Sequence, residues 1–390
     1  MIRPAPGAPS DALAAPAAER SLSVLMCVRP SSELGGLETS FGRIIGDLQR
    51  SGVSAQSAVI GPDAANSATA RYLSTVMPVH TPVGMRAAMT LIRGFDVVHV
   101  HCPSGTTAWP ATILCAARLA GVPLIITLHL PGVPELRPRL RGRIKARVLG
   151  APRQLLLAVT GALVVCPSSA AADLARSRFA PLRVPIRAVW NGVPDSGHVP
   201  VSTAGPLRLV FVGRLSPHKR PLEFVEAVEI ALDQGVDVVA DVVGDGPLGP
   251  DVRRRVAASA HADRITVHGA LPDVTRVLRQ GHVLVLMSRH EGGPPLVLME
   301  AGATGRGTVA RAGVEGVSDD WPESVALVDR ESDAAAFAQL FCNLAADFSR
   351  VTTLGAAARA RYEDFFTAEK SAGRLRAAYL CVIGDRGPRQ

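Results

Sequence analysis

HVLVLMSRHEGGPPLVLMEAGATGRGTVA, from His282 to Ala310, divides into four pieces. Val283–Met287 is a short apolar run of the kind found in strands buried on both faces. Ser288–Pro295 is a polar loop with one carboxylate, Glu291, and adjacent glycines, Gly292 and Gly293. Leu296–Thr304 reads as a helix and Thr308–Ala310 as a second short strand. A strand ending at Ser288 delivers Glu291 to the C-terminal edge of a parallel sheet, where open α/β sheets bind ligands. The next helix aims its unpaired N–H groups at the same place. An anion on those donors, with Glu291 and Glu300 accepting from neutral hydroxyls, describes a sugar that carries phosphate, as a nucleotide sugar does. An acid beside a helix N-terminus is also stabilised by the helix dipole, by about 0.3–1 kcal/mol. Glu291 alone therefore does not require a ligand.

The bulk properties narrow the choice. A chain of 390 residues exceeds what one hydrophobic core usually serves, so two domains are expected. Aromatic residues make up 4% of it, which leaves Val, Leu and Ala to build the core. A formal charge of +8 calls for an anionic partner: a nucleotide, a phospholipid surface or nucleic acid. Nucleic acid is the weakest of these, because no basic stretch is interleaved with aromatics and no zinc or helix-turn-helix signature occurs. The six cysteines are scattered without a close pair, which argues against a metal site or a disulfide framework and for a reducing cytoplasm. Residues 1–20 read as a disordered leader rather than a signal peptide. The apolar run Leu155–Cys166 is too short to span a bilayer.

Further strand–turn–helix units lie on either side. Ser21–Val28 is a first strand, followed by Gly35 and Gly36 and a helix whose start can face a diphosphate. Val53–Ile60 reads as a second strand and Phe95–Pro103, with His99 and His101 set among valines, as a third. A further strand closes at Thr127, Leu128 and His129. Glu135–Arg153 is the most basic stretch; its usual meaning is a solvated face, with membrane-surface contact as the alternative. In the second half, the strand Leu207–Val212 ends at Gly213, with Arg214 beyond it and Lys219 at the start of an amphipathic helix. Arg as a bidentate fork and Lys as a point charge suit a diphosphate. Gly244 and Gly246 form another strand-to-helix turn that can line a nucleotide pocket.

SRHEGGPPLVLMEAGATG resembles the donor-site signature of the retaining glycosyltransferases of family 4. Their fold is GT-B, an α/β arrangement of two Rossmann-like parallel-sheet domains facing a central cleft. The family separates its two glutamates by seven residues; here Glu291 and Glu300 enclose eight, GGPPLVLM. Gly307 also stands where Pro is usual. The glycine loop near Gly36, the strand Phe95–Pro103, the Asn-Gly-Val of RAVWNGVP (Arg187–Pro194), the Arg214/Lys219 pair and GVEGV (Gly313–Val317) follow the family's order.

The resemblance implies an acceptor domain over 21–194, a linker at 195–206, a donor domain over 207–367 and a last segment, 368–390, whose helix crosses back. It implies a hexosyltransferase that moves a sugar from a UDP- or GDP-linked donor to a glycan, lipid-linked or small-molecule acceptor. Arg214, Lys219, Glu291 and His129 would act at the reacting centre. Gly35, Gly36, Gly244, Gly246, Gly292, Gly293 and Glu300 would hold the donor. No metal is expected, since no Asp-x-Asp occurs. The place implied is the cytoplasm, with 135–153 offering contact with the inner membrane face. Two alternatives stay open: a non-catalytic nucleotide-sugar-binding subunit, and an epimerase or inverting transferase on the same fold.

Overall fold

Short apolar runs ending in glycine or polar turns, separated by amphipathic helices, can bury both faces only as parallel strands between helical layers. The computed structural model describes residues 22–31, 36–102, 111–129, 159–179, 183–291 and 293–384. In the first half, β1 (Leu22–Val28), β2 (Val53–Val59), β3 (Val79–His80), β4 (Val97–Cys102), β5 (Leu124–Leu128), β6 (Leu163–Cys166) and β7 (Ile186–Ala188) form one sheet in the order β3-β2-β1-β4-β5-β6-β7. In the second, β8 (Leu207–Val212), β9 (Val238–Val243), β10 (Ile265–Gly269), β11 (Val283–Leu286), β12 (Gly307–Arg311) and β13 (Val325–Val328) pair as β10-β9-β8-β11-β12-β13. The strands pair in parallel in both sheets. Each half is thus a Rossmann-like unit, and the two together make the GT-B architecture.

β4, β5, β6 and β11 are buried at every residue, as strands covered on both faces must be. Strand order reverses between β1 and β4 and again between β8 and β11, so each half opens its crevice at the C-terminal ends of those strands. β3 is absent from the sequence reading, which makes Phe95–Pro103 the fourth strand and not the third. Two half-buried residues are too few to show a period of two.

The last helix, Ala368–Gly384, leaves the second half and buries Ala372, Leu375, Ala378 and Tyr379 in the core of the first. The two chain crossings run side by side. Val193 N–H donates to Phe366 O at 3.0 Å, and Ala368 N–H donates to Val193 O at 3.0 Å. Gly192 is required there, since a Cβ would stand 2.3 Å from Thr367 O. Among the described residues no helix is long and apolar enough to cross a membrane.

Candidate functional site

β8 and β11 are neighbours, so the turns that follow them share one sheet edge. This brings Lys219 to Glu291, Nζ donating to Oε1 at 2.5 Å, with the acid side chain 5% exposed and the lysine 25%. Ser288 Oγ donates to the same oxygen. The sequence reading gave Lys219 to the diphosphate and Glu291 to sugar hydroxyls as separate contacts. Here they form a pair, because a nearly buried carboxylate is costly without a cation or hydrogen-bond donors around it. Arg214 is exposed at the same edge, just past Gly213.

The loop carrying Glu291 is braced from behind by groups the sequence reading did not single out. Glu291 N–H donates to Glu315 Oε2 at 3.2 Å, and His290 Nδ1 lies 3.0 Å from Glu315 Oε1. Burial pushes the Glu315 carboxyl up, but those hydrogen bonds outweigh it and hold the group below the usual carboxylate range. Arg330 Nη2 lies 3.0 Å from His290 Nδ1 and donates to Arg289 O at 3.2 Å. Gly316, at φ 70°, sits so close to Pro294 that a Cβ would be 2.3 Å from the ring. Loop thus packs on loop beside Glu291. Glu315 lies inside the family-like GVEGV, which was the one available signal.

Gly244 has φ 136°, and a Cβ there would be 1.9 Å from Gly213 O; at Gly246 it would be 2.7 Å from Leu215 O. The sequence has these glycines line a nucleotide pocket through their backbone, and in the structure protein backbone closes on the side where a Cβ would stand. They lock the turn after β9 onto the turn after β8.

Glu300 occupies the second turn of the helix Leu296–Thr304, whose N-cap residue, Pro295, makes no side-chain cap. Across the cleft, Arg43 from the helix Gly36–Arg50 donates to Glu300 Oε1 at 2.6 Å. The arginine is 40% exposed and the acid 16%. Gly293 meets the first half too, since a Cβ there would be 3.0 Å from Pro167 Cγ. Gly36 is the first residue of its helix, at the C-terminal side of β1. Gly35, Gly292 and the basic stretch 135–153 lie outside the described residues.

His129 follows β5, its N–H donating to Cys102 O at 3.1 Å. Its Nε2 is 3.0 Å from His101 Nδ1. His99 bonds Tyr379 OH at 2.8 Å through Nδ1 and Thr127 Oγ1 at 2.7 Å through Nε2. Burial draws the imidazoles toward the neutral form, His99 to about 3, His129 to about 4 and His101 well below its ordinary value. Among the described residues no three His, Cys, Asp or Glu side chains group as metal ligands.

Two family models divide the chain between them. Residues 34–196 match Glycosyltransferase Family 4, and residues 206–347 match Glycosyl transferases group 1. The chain belongs to the family 4 glycosyltransferases. Among curated relatives of this family 4 chain, a 2-deoxystreptamine N-acetyl-D-glucosaminyltransferase of Streptomyces fradiae is 33% identical over 230 residues, 53% of each protein. The UDP-Gal:alpha-D-GlcNAc-diphosphoundecaprenol alpha-1,3-galactosyltransferase of Escherichia coli is 27% identical over 227 residues, 54% of this chain and 56% of that one. The matches therefore span about half the length of these relatives. The structure of Anabaena HepE in complex with UDP shares the fold with a TM-score of 0.71 at 16% identity, covering 92% of this chain and 99% of that one.

Proposed function

We propose that this family 4 chain transfers a hexose from a nucleoside diphosphate sugar to an acceptor hydroxyl with retention of anomeric configuration. The observation that carries the reading is the placing of two carboxylates, Glu291 and Glu300, at one edge of the second sheet, each held by a cation. Glu300 accepts from the ribose and Glu291 from the sugar hydroxyls, and Lys219 turns from Glu291 to the phosphate as the ligand arrives. Arg214 and the start of the helix Leu296–Thr304 stabilise charge developing on the leaving diphosphate. No metal is needed for this. The leaving phosphate takes the acceptor proton on the same face, so no protein nucleophile is assigned.

UDP is the favoured carrier, because a structural neighbour is a UDP complex and a curated relative is named for UDP-Gal. The acceptor belongs to a lipid-linked glycan or a small aminocyclitol-like metabolite, the two classes named in the curated relatives. Isothermal titration of the protein with UDP and with GDP, repeated on Arg214→Ala and Glu300→Ala, tests the donor site. The expected outcome is UDP binding that falls at least tenfold in both variants, the worth of a charged hydrogen bond of about 1.5–3 kcal/mol. Failure of every nucleoside diphosphate to bind wild-type protein would sink the reading. Binding without turnover of any nucleotide sugar would turn it into a non-catalytic binding subunit.

A further inference from the structure

Three imidazoles stand in a row at the C-terminal edge of the first sheet. His99 and His101 lie on the same face of β4 with ring centroids 4.3 Å apart, and His129 is 5.2 Å from His101. His99 is satisfied at both nitrogens, by Tyr379 and Thr127. His101 is not. Its Nδ1 faces His129 Nε2 at 3.0 Å, whereas its buried Nε2 has no hydrogen-bond partner among the described residues and lies against Phe41, whose ring is at 87° to the imidazole.

That asymmetry fixes the protons. His101 is 1% exposed and neutral, so it carries one ring proton. In one arrangement the proton sits on Nε2, which leaves a buried N–H unpaired, and Nδ1 accepts from His129. In the other it sits on Nδ1 and is donated to His129 Nε2, which leaves a bare nitrogen lone pair at the buried position. Orphaned buried N–H groups are rarer than under-satisfied acceptors, and the second arrangement is the one without such a group. His129 Nε2 then has no proton of its own, so the proton of the neutral ring must be on Nδ1.

We propose that His101 is a positioning residue that fixes His129 in its Nδ1–H tautomer and so makes it a hydrogen-bond donor to the bound ligand. The assignment deepens the transferase reading, on which the ligand contact rests, and adds a role that reading left open. A neutral His129 with its proton toward the ligand donates to a sugar oxygen and does not accept a proton from an attacking hydroxyl through that atom. The base that an inverting displacement requires is therefore absent at this position.

The test is nitrogen-15 NMR on histidine-labelled, ligand-free protein, with the His129 signals assigned by their loss in His129→Gln. The expected spectrum has a protonated Nδ1 and a bare Nε2. His101→Leu removes the polar partner of His129 Nε2 and gives a mixture of the two tautomers. Affinity for UDP-glucose as the probe falls between about two- and tenfold in His101→Leu, the worth of one neutral hydrogen bond. A proton on His129 Nε2 in wild type, or an unchanged His129 spectrum in His101→Leu, would overturn the proposal. Because the tautomer is read without ligand, its outcome is separate from that of the nucleotide titration.

Discussion

At the scale of single residues, the Lys219–Glu291 pair sets the first expectation. Removing the lysine leaves a carboxylate 5% exposed with Ser288 as its remaining side-chain partner among the described residues. Lys219→Ala should cost on the order of 1–3 kcal/mol of stability, the penalty for stranding a buried polar group. The double change Lys219→Met with Glu291→Gln should recover most of it, since it strands no charge. Urea unfolding of the three proteins measures this, and an unchanged midpoint for Lys219→Ala would show the pair to be incidental. The two residues are each legible in the sequence as candidates, one after a glycine-terminated strand and one in a glycine-bounded loop. Their pairing is not, because it joins positions 72 residues apart through the adjacency of β8 and β11. His290, Glu315 and Arg330 escape for the same reason. Nothing in their local spacing says that they converge.

At the scale of elements, the first sheet carries a pH expectation with a definite sign. His99, His101 and His129 have folded-state values below the ordinary 6.5, so the unfolded chain binds protons that the folded one refuses. Their contribution is fully present above about pH 6.5 and is lost as pH falls toward the folded values. Thermal unfolding should therefore be level near pH 7.5 and fall in temperature between pH 6.5 and 5, before most carboxylates titrate. Asp320, raised by burial to about 6, acts in the opposite sense, so the fall should be steeper in Asp320→Asn. A level profile down to pH 5 would contradict the buried neutral row. Gly307 supplies a second expectation. A Cβ there would lie 2.4 Å from Leu354 Cβ, where the helix Phe348–Arg361 packs on β12. Gly307→Ala should cost about 1–3 kcal/mol, the usual toll of overpacking, and Leu354→Ala should relieve part of it in a urea-denaturation cycle. The sequence shows Gly307 only as a departure from the family's proline. Its reason is a helix that the sequence gives no means of docking. Strands of four to seven residues are legible where apolar runs end in glycine, while the two-residue β3 is too short to carry a pattern.

At the scale of the whole molecule, the Arg43–Glu300 contact ties the two halves together across the cleft. With the arginine 40% exposed, such a pair is worth no more than about 1 kcal/mol, enough to shift an open–closed ratio roughly fivefold. Arg43→Ala should enlarge the radius of gyration measured by small-angle scattering at low salt. Added salt should do the same to the wild type while leaving the variant unmoved. Equal curves for both proteins at low salt would remove this contact from the balance between open and closed forms. The two-sheet α/β class follows from the repeated strand–glycine–helix order, and so is legible from one end of the chain to the other.

The final helix has a consequence for anyone who recombines this protein with its relatives. Ala368–Gly384 belongs to the second half by sequence and to the first by packing, with Tyr379 bonded to His99 and Leu375 in the first core. A chimera with a single junction between β7 and β8 imports a foreign helix into a core built for this one. A clean exchange needs two junctions, one between those strands and one at Thr367, where the returning chain pairs with Val193. The unit that can be swapped is thus an insertion between two adjacent crossings, not the C-terminal half of a chain.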